Sequence, residues 1–151
     1  MSKIEDLYDA ITTIITDTVA TDYKRIPNPY ILEINSHLIL QKGYGIRIDA
    51  GRDTNRVVGC MMTWERLFTI ILTSQITTTE NNTAARILLE KGILDDHDAL
   101  VKAFYANVNL TGQGYKASIA DDSGIQPIVT ESGKFFTMEL SLFVEYQDSV
   151  S

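Results

Sequence analysis

Near the start of the chain apolar residues recur at steps of three and four: Ile4, Leu7, Tyr8, Ile11, Ile14, Ile15 and Val19. That spacing predicts an amphipathic helix of about four turns with one face for burial. Ser2 and Glu5 stand ahead of it at capping-box spacing. Thr12, Thr13, Thr16 and Thr18 weaken it, because β-branched side chains lose rotamer freedom in a helix, so tertiary packing has to hold the segment. Pro27 and Pro29 then forbid a continuing helix and make residues 25 to 30 a stiff extended connector. Residues 31 to 41 lack a clean period and are expected to be irregular or weakly extended.

From Gly43 the period changes to two, with Tyr44, Ile46, Ile48 and Ala50 alternating with Gly45, Arg47 and Asp49, as in a half-buried strand. Residues 51 to 55 (GRDTN) read as a turn, and 56 to 62 as a second, shorter strand. Residues 66 to 75 carry apolar side chains on both faces, which places that strand in the middle of a sheet. Thr77 and Glu80 repeat the capping-box spacing. Beyond them Ala84, Ile87, Leu88, Leu94, Leu100, Val101 and Phe104 predict one long helix ending near Asn107, bent at Gly92. The last third reads as strand 115 to 120, a hairpin turn at Ser123 and Gly124, strand 125 to 130, a turn at Ser132 and Gly133, and strand 134 to 146. In that last strand Phe136, Met138, Leu140, Leu142, Val144 and Tyr146 share one side while Thr137, Glu139, Ser141 and Glu145 share the other, so one face of the sheet is expected to be wet. The element order implies an α+β fold: an antiparallel sheet of about four or more strands with two main helices packed on one face, in a single domain spanning residues 1–151.

Composition narrows the function. A length of 151 residues supports one real core. A net charge of -7 argues against tight binding to nucleic acid phosphates and suits a surface past which DNA moves without sticking. The single cysteine, Cys60, allows neither an intrachain disulfide nor a thiolate zinc site, which points to a reducing compartment. Glu5, Asp6, Asp9 and Asp17 break the first twenty residues as a secretory or membrane segment, so the protein is expected to be cytoplasmic when made.

Catalytic, cofactor and metal sites are not expected. His37 and His97 sit in no metal or nucleophile pattern, and the run Asp95, Asp96, His97, Asp98 splays around a helix axis rather than converging on an ion. Gly43 and Gly45 lack the third glycine of a dinucleotide fingerprint, and Asp121 and Asp122 precede a turn too short for an EF-hand. Cys60 has no identifiable partner base and reads as a small buried hydrophobe. One stretch is locally positive: Lys42, Arg47, Arg52, Arg56 and Arg66 outnumber Asp49, Asp53 and Glu65 between residues 42 and 66. Together with Trp64, which reads as a packing or interface anchor, Arg47, Arg52 and Arg56 are the candidate subunit-interface residues, suited to an acidic neighbouring subunit.

The segment WERLFTIILT (64 to 73), the long helix after it and the terminal run FFTMELSLFVEYQ resemble the tail terminator proteins of long-tailed bacteriophages, also called tail completion or tail-to-head joining proteins. The N-terminal helix followed by the strand GYGIRID agrees with that family's order, so the resemblance spans nearly the whole chain. It implies a structural virion protein of similar size that forms a hexameric ring on the last ring of the tail tube. Such a ring stops tube polymerisation and presents a surface to the head-completion or connector protein. Its partners are other copies of itself, the tube protein and the connector, with DNA passing through the ring and no membrane involved. Its place is the head-proximal end of the tail, after assembly in the host cytoplasm, and the family has no catalytic residues or cofactors to carry over. A head-closure protein or the tube subunit itself is the neighbouring alternative. A small enzyme or ligand-binding domain built on Cys60, His37 or His97 is the alternative from another class.

Overall fold

A computed structural model describes residues 3–19, 23–26, 29, 42–58, 61–76, 83–112, 116–130 and 133–149. The elements run α1 (Lys3–Val19), β1 (Lys24–Arg25), β2 (Lys42–Val58), β3 (Met61–Gln75), α2 (Thr83–Ala106), β4 (Lys116–Asp122), β5 (Gln126–Thr130) and β6 (Gly133–Ser149), and Leu110–Gly112 forms a 3-10 turn. The six strands form one sheet in the order β1-β2-β3-β6-β4, and β5 also pairs with β6. Only the β1–β2 pair is parallel, so the fold is α+β on a mostly antiparallel sheet, with two helices.

The core lies where the two-residue period of the strands meets the helical stripes. Tyr44 and Ile46 of β2, Phe68, Ile70 and Leu72 of β3, and the even-numbered residues 136 to 146 of β6 are buried on one face. They join Leu7, Ala10, Ile11, Ile14, Ile15 and Val19 of α1 and Ile93, Leu100 and Phe104 of α2 in one cluster. In α1 the threonine hydroxyls bond back along the helix, Thr12 to the Tyr8 carbonyl at 2.9 Å and Thr18 to that of Ile14 at 2.6 Å. The polar atoms of these poor helix formers are thereby satisfied without leaving the helix. α2 runs unbroken through Gly92 and ends one residue before the expected Asn107.

The expected wet face is only partly wet. Ile71, Thr73, Thr69 and Thr137 point to the second face and are 0–3% exposed. Part of the cover is the segment around β1, for Ile26 and Pro29 lie where side chains on Gly43 and Gly45 would otherwise stand. The other half of this face is partly open and charged, with Arg47, Glu65, Glu139 and Glu145.

Two expected turns are not turns. Residues 51 to 55 stay inside β2, and β2 and β3 make one long antiparallel pair in place of three short strands. Register shifts between Ile48 and Gly51 and between Asp53 and Val57 absorb the polar run as bulges, because an extra residue in one strand can be accommodated without ending the ladder. Cross-strand bonds hold it there: Thr54 Oγ1 donates to the Thr63 carbonyl at 3.0 Å, and Arg66 donates to the Asp49 carbonyl at 3.0 Å.

Ser123 and Gly124 likewise do not reverse the chain. β4 and β5 both run antiparallel to β6, so they form one arm with a jog between them. Gly124 takes φ 66°, the left-handed conformation that suits a bulge, while Ser123 Oγ accepts from the Glu139 amide at 2.9 Å and the Ser123 amide donates to the Glu139 carbonyl at 2.9 Å. Gly124→Ala meets no neighbour within 4 Å, so its expected cost is the backbone term alone, about 1–2 kcal/mol by urea denaturation. The capping boxes at Ser2 and Thr77, the segment 31 to 41 and the turn residue Ser132 lie outside the described residues.

Candidate functional site

The candidate interface residues do not gather on one surface. Arg47 and Arg52 point to the second face of the sheet, opposite Thr69 and Glu65, whereas Trp64 stands opposite Tyr146 on the helix-bearing face and packs against the core. The alternation of a strand forces this split, since side chains an odd number of places apart across a register pair emerge on opposite faces. The side chain of Arg56 lies outside the described residues, as do Cys60 and His37.

Arg47 and Arg52 also have intramolecular partners. Arg47 reaches across β3 to Glu139 at 3.4 Å, with its Nε buried and without an acceptor among the described residues. Arg52 Nε donates to Glu65 at 2.6 Å, an exposed pair worth under about 1 kcal/mol. Both arginines neutralise carboxylates of their own sheet, which reduces what they offer to an acidic neighbour.

The acidic run on α2 diverges. Asp96 accepts from the Tyr23 hydroxyl at 2.6 Å, Asp98 pairs with Lys102 at 2.7 Å, Asp95 is exposed, and His97 turns into the core with its Nε2 lacking a partner among the described residues. The Asp98 carboxylate holds the fully exposed Lys102 ammonium above its usual range through their hydrogen bond. Among the described residues no three His, Cys, Asp or Glu side chains converge as metal ligands.

Nor does the outer edge of the β4–β5 arm invite strand addition. The arm is divided by the Gly124 bulge, carries Pro127 and the exposed Asp121 and Asp122, and its Ala117 amide is already taken by the Val108 carbonyl at 2.6 Å. Charge, proline and bulges are how sheet edges avoid pairing with another chain.

Two other surfaces stand out, neither visible as a site in the sequence. One is an open groove of about 440 Å³ between α1 and β2, lined by Glu5, Tyr8, Asp9 and Ile48. Glu5 and Asp9 stand four residues apart, so they share one side of α1 and give the groove an acidic lip. At its border Arg25 lies over the Tyr8 ring, 5.1 Å from the centroid, and donates to the Tyr8 hydroxyl. The other surface is the first half of α2, where Ile87, Leu88 and Leu94 are 51%, 70% and 46% exposed, flanked by the exposed Arg86 and Lys91. These three side chains belong to the apolar pattern that predicts the helix. The buried direction is set instead by Ile93, His97, Leu100 and Phe104, which leaves Ile87 and Leu94 about a quarter turn or more away from it. In sequence the only signal of both surfaces is weak: an acid pair at helical spacing in α1, and apolar residues on more than one side of α2.

No protein-family profile matches the chain, and no curated protein matches it. Among the described residues no helix is long and apolar enough to cross a membrane.

Proposed function

We propose that this chain is a structural assembly protein of a phage tail, a terminator whose copies join into a hexameric ring. In this reading one face of the ring caps the tail tube and ends its polymerisation, and the other receives the head-completion or connector protein. Its place is the head-proximal end of the tail, after assembly in the host cytoplasm. The observation that carries the reading is the exposed apolar set Ile87, Leu88 and Leu94 on α2, since several large apolar side chains left to water on one helix of a small protein point to a protein contact. The order helix, long hairpin, helix, closing strands agrees with the resemblance drawn from the sequence. The acidic balance suits a ring through which DNA slides without being held.

Mass measurement across a concentration series, alone and with purified tail tubes, tests the reading. The expected result is a single hexameric species, free or on tube ends, and tubes that stop lengthening. Long self-assembled cylinders would instead identify a tube subunit. A protein that stays monomeric and neither binds tubes nor limits their length would remove the proposal.

A further inference from the structure

The two unusual surfaces lie at different heights on the helical layer, one over the middle of the sheet and one at the β1 end, and chain direction shows why. β3 finishes at Gln75 beside Phe135, the same end of the sheet at which β1 meets β2 at Gly43 and Tyr44. The chain enters α2 eight residues after Gln75 and leaves it for β4, whose first residue, Lys116, pairs with Glu145 toward the other end. α2 therefore climbs along the sheet. α1 descends, because its last residue, Val19, is followed closely by β1 while its first turns meet Ile48. The start of α1, with the acidic groove, is thus remote from the start of α2, with the apolar and basic patch. Asp96 meets Tyr23 next to β1, so the turns before it run outward past that end, where Ala84, Arg86, Ile87 and Leu88 are all exposed.

We infer that these surfaces are the two halves of one contact: the exposed start of α2 on one copy seats in the α1–β2 groove of the next. The patch supplies Ile87 and Leu88 to cover, with Lys91 three and four residues on along the same side and no acid in the first turn of the helix. Arg86 is only loosely held, 3.5 Å from Glu90. The groove supplies Tyr8 and Ile48 as apolar walls and Glu5 and Asp9 as carboxylates, so hydrophobicity and charge sign match. Arg25, at the groove's border, is engaged by Tyr8. Because the halves lie at different places on the molecule, the contact is head to tail, the kind that closes into a ring when its rotation divides a full turn. The inference rests on the self-assembly reading above and names the surfaces that carry it.

A mixing experiment tests it. Leu88→Asp spoils the patch and leaves the groove; Asp9→Arg spoils the groove and leaves the patch. Both positions are exposed, so both variants should fold, with circular dichroism and melting temperature as the check. By native mass spectrometry or sedimentation, each variant alone is expected to associate at least about tenfold more weakly than wild type. Their equimolar mixture is expected to give a 1:1 dimer and nothing larger, since each dimer retains only spoiled halves at its free ends. Wild type that remains monomeric at every concentration overturns the inference, as does assembly by wild type that neither variant weakens. The latter result leaves the ring reading standing and moves its contact elsewhere. Wild type that assembles only with another protein on the α2 patch also overturns it.

Discussion

Replacing Phe68 by alanine is expected to lower the free energy of unfolding by about 3–5 kcal/mol. Phe68 is fully buried, at the middle of the central strand, with Ile48 opposite it on β2 and Leu142 on β6. Its ring is part of the cluster that joins three strands to both helices, so truncation removes apolar contact and leaves a cavity that the neighbouring strands cannot close without breaking their ladders. Urea denaturation followed by circular dichroism measures it, with the midpoint falling and the slope nearly unchanged. A loss below about 1 kcal/mol would mean that β3 is not the centre of the core.

The second large effect is expected at Gly45. A Cβ there would stand 2.8 Å from the Pro29 Cβ, and neither carbon sits at the end of a flexible side chain. The strain must therefore move the backbone that carries Ile26 and β1, and with it the Tyr23–Asp96 bond that ties this segment to α2. Gly45→Ala is expected to cost about 1–3 kcal/mol, as overpacking does in a filled site. Gly51→Ala is the informative control. Its nearest neighbour is the Arg66 guanidinium at 2.7 Å, the far end of a long side chain that can swing aside, so the expected cost is smaller. Equal losses for the two variants in parallel thermal melts would refute the idea that Pro29 closes over the sheet.

Both effects bear on the proposed assembly. Ile26 and Pro29 pack on the second face of the sheet, Tyr23 ties the same stretch of chain to α2 through Asp96, and Arg25 lies over Tyr8 at the border of the groove. Loosening it at Gly45 is thus expected to disturb stability first, and the proposed contact as a consequence. The exposed variants Leu88→Asp and Asp9→Arg separate the contact from the fold.

Helix α1, the long α2, the central position of β3 and the alternation of β6 are all legible in the sequence, because each depends on periodicity within one segment. The turns at residues 51 to 55 and at Ser123 and Gly124 read wrongly for a local reason. Glycine, aspartate and asparagine favour turns and bulges alike, and only the neighbouring strand decides which forms. Arg47, Arg52 and Trp64 formed one candidate surface only while their faces were unassigned; pairing with β3 and β6 sends the arginines to one side and the tryptophan to the other.

The amino-acid pattern by itself determined the α+β class, the two helices, the core side of the last strand and the acidic balance of the chain, since these are sums or periods of residues near one another in sequence. Tertiary structure alone decided that the polar run in β2 is bulged strand, that part of the second face is covered by Ile26 and Pro29, and that Glu5, Tyr8 and Asp9 form a groove with Ile48. It also decided which side of α2 is buried and left Ile87, Leu88 and Leu94 to solvent. These outcomes depend on which elements meet across long stretches of chain, and a helix with apolar residues on several sides carries no local instruction about which of them its neighbours will cover.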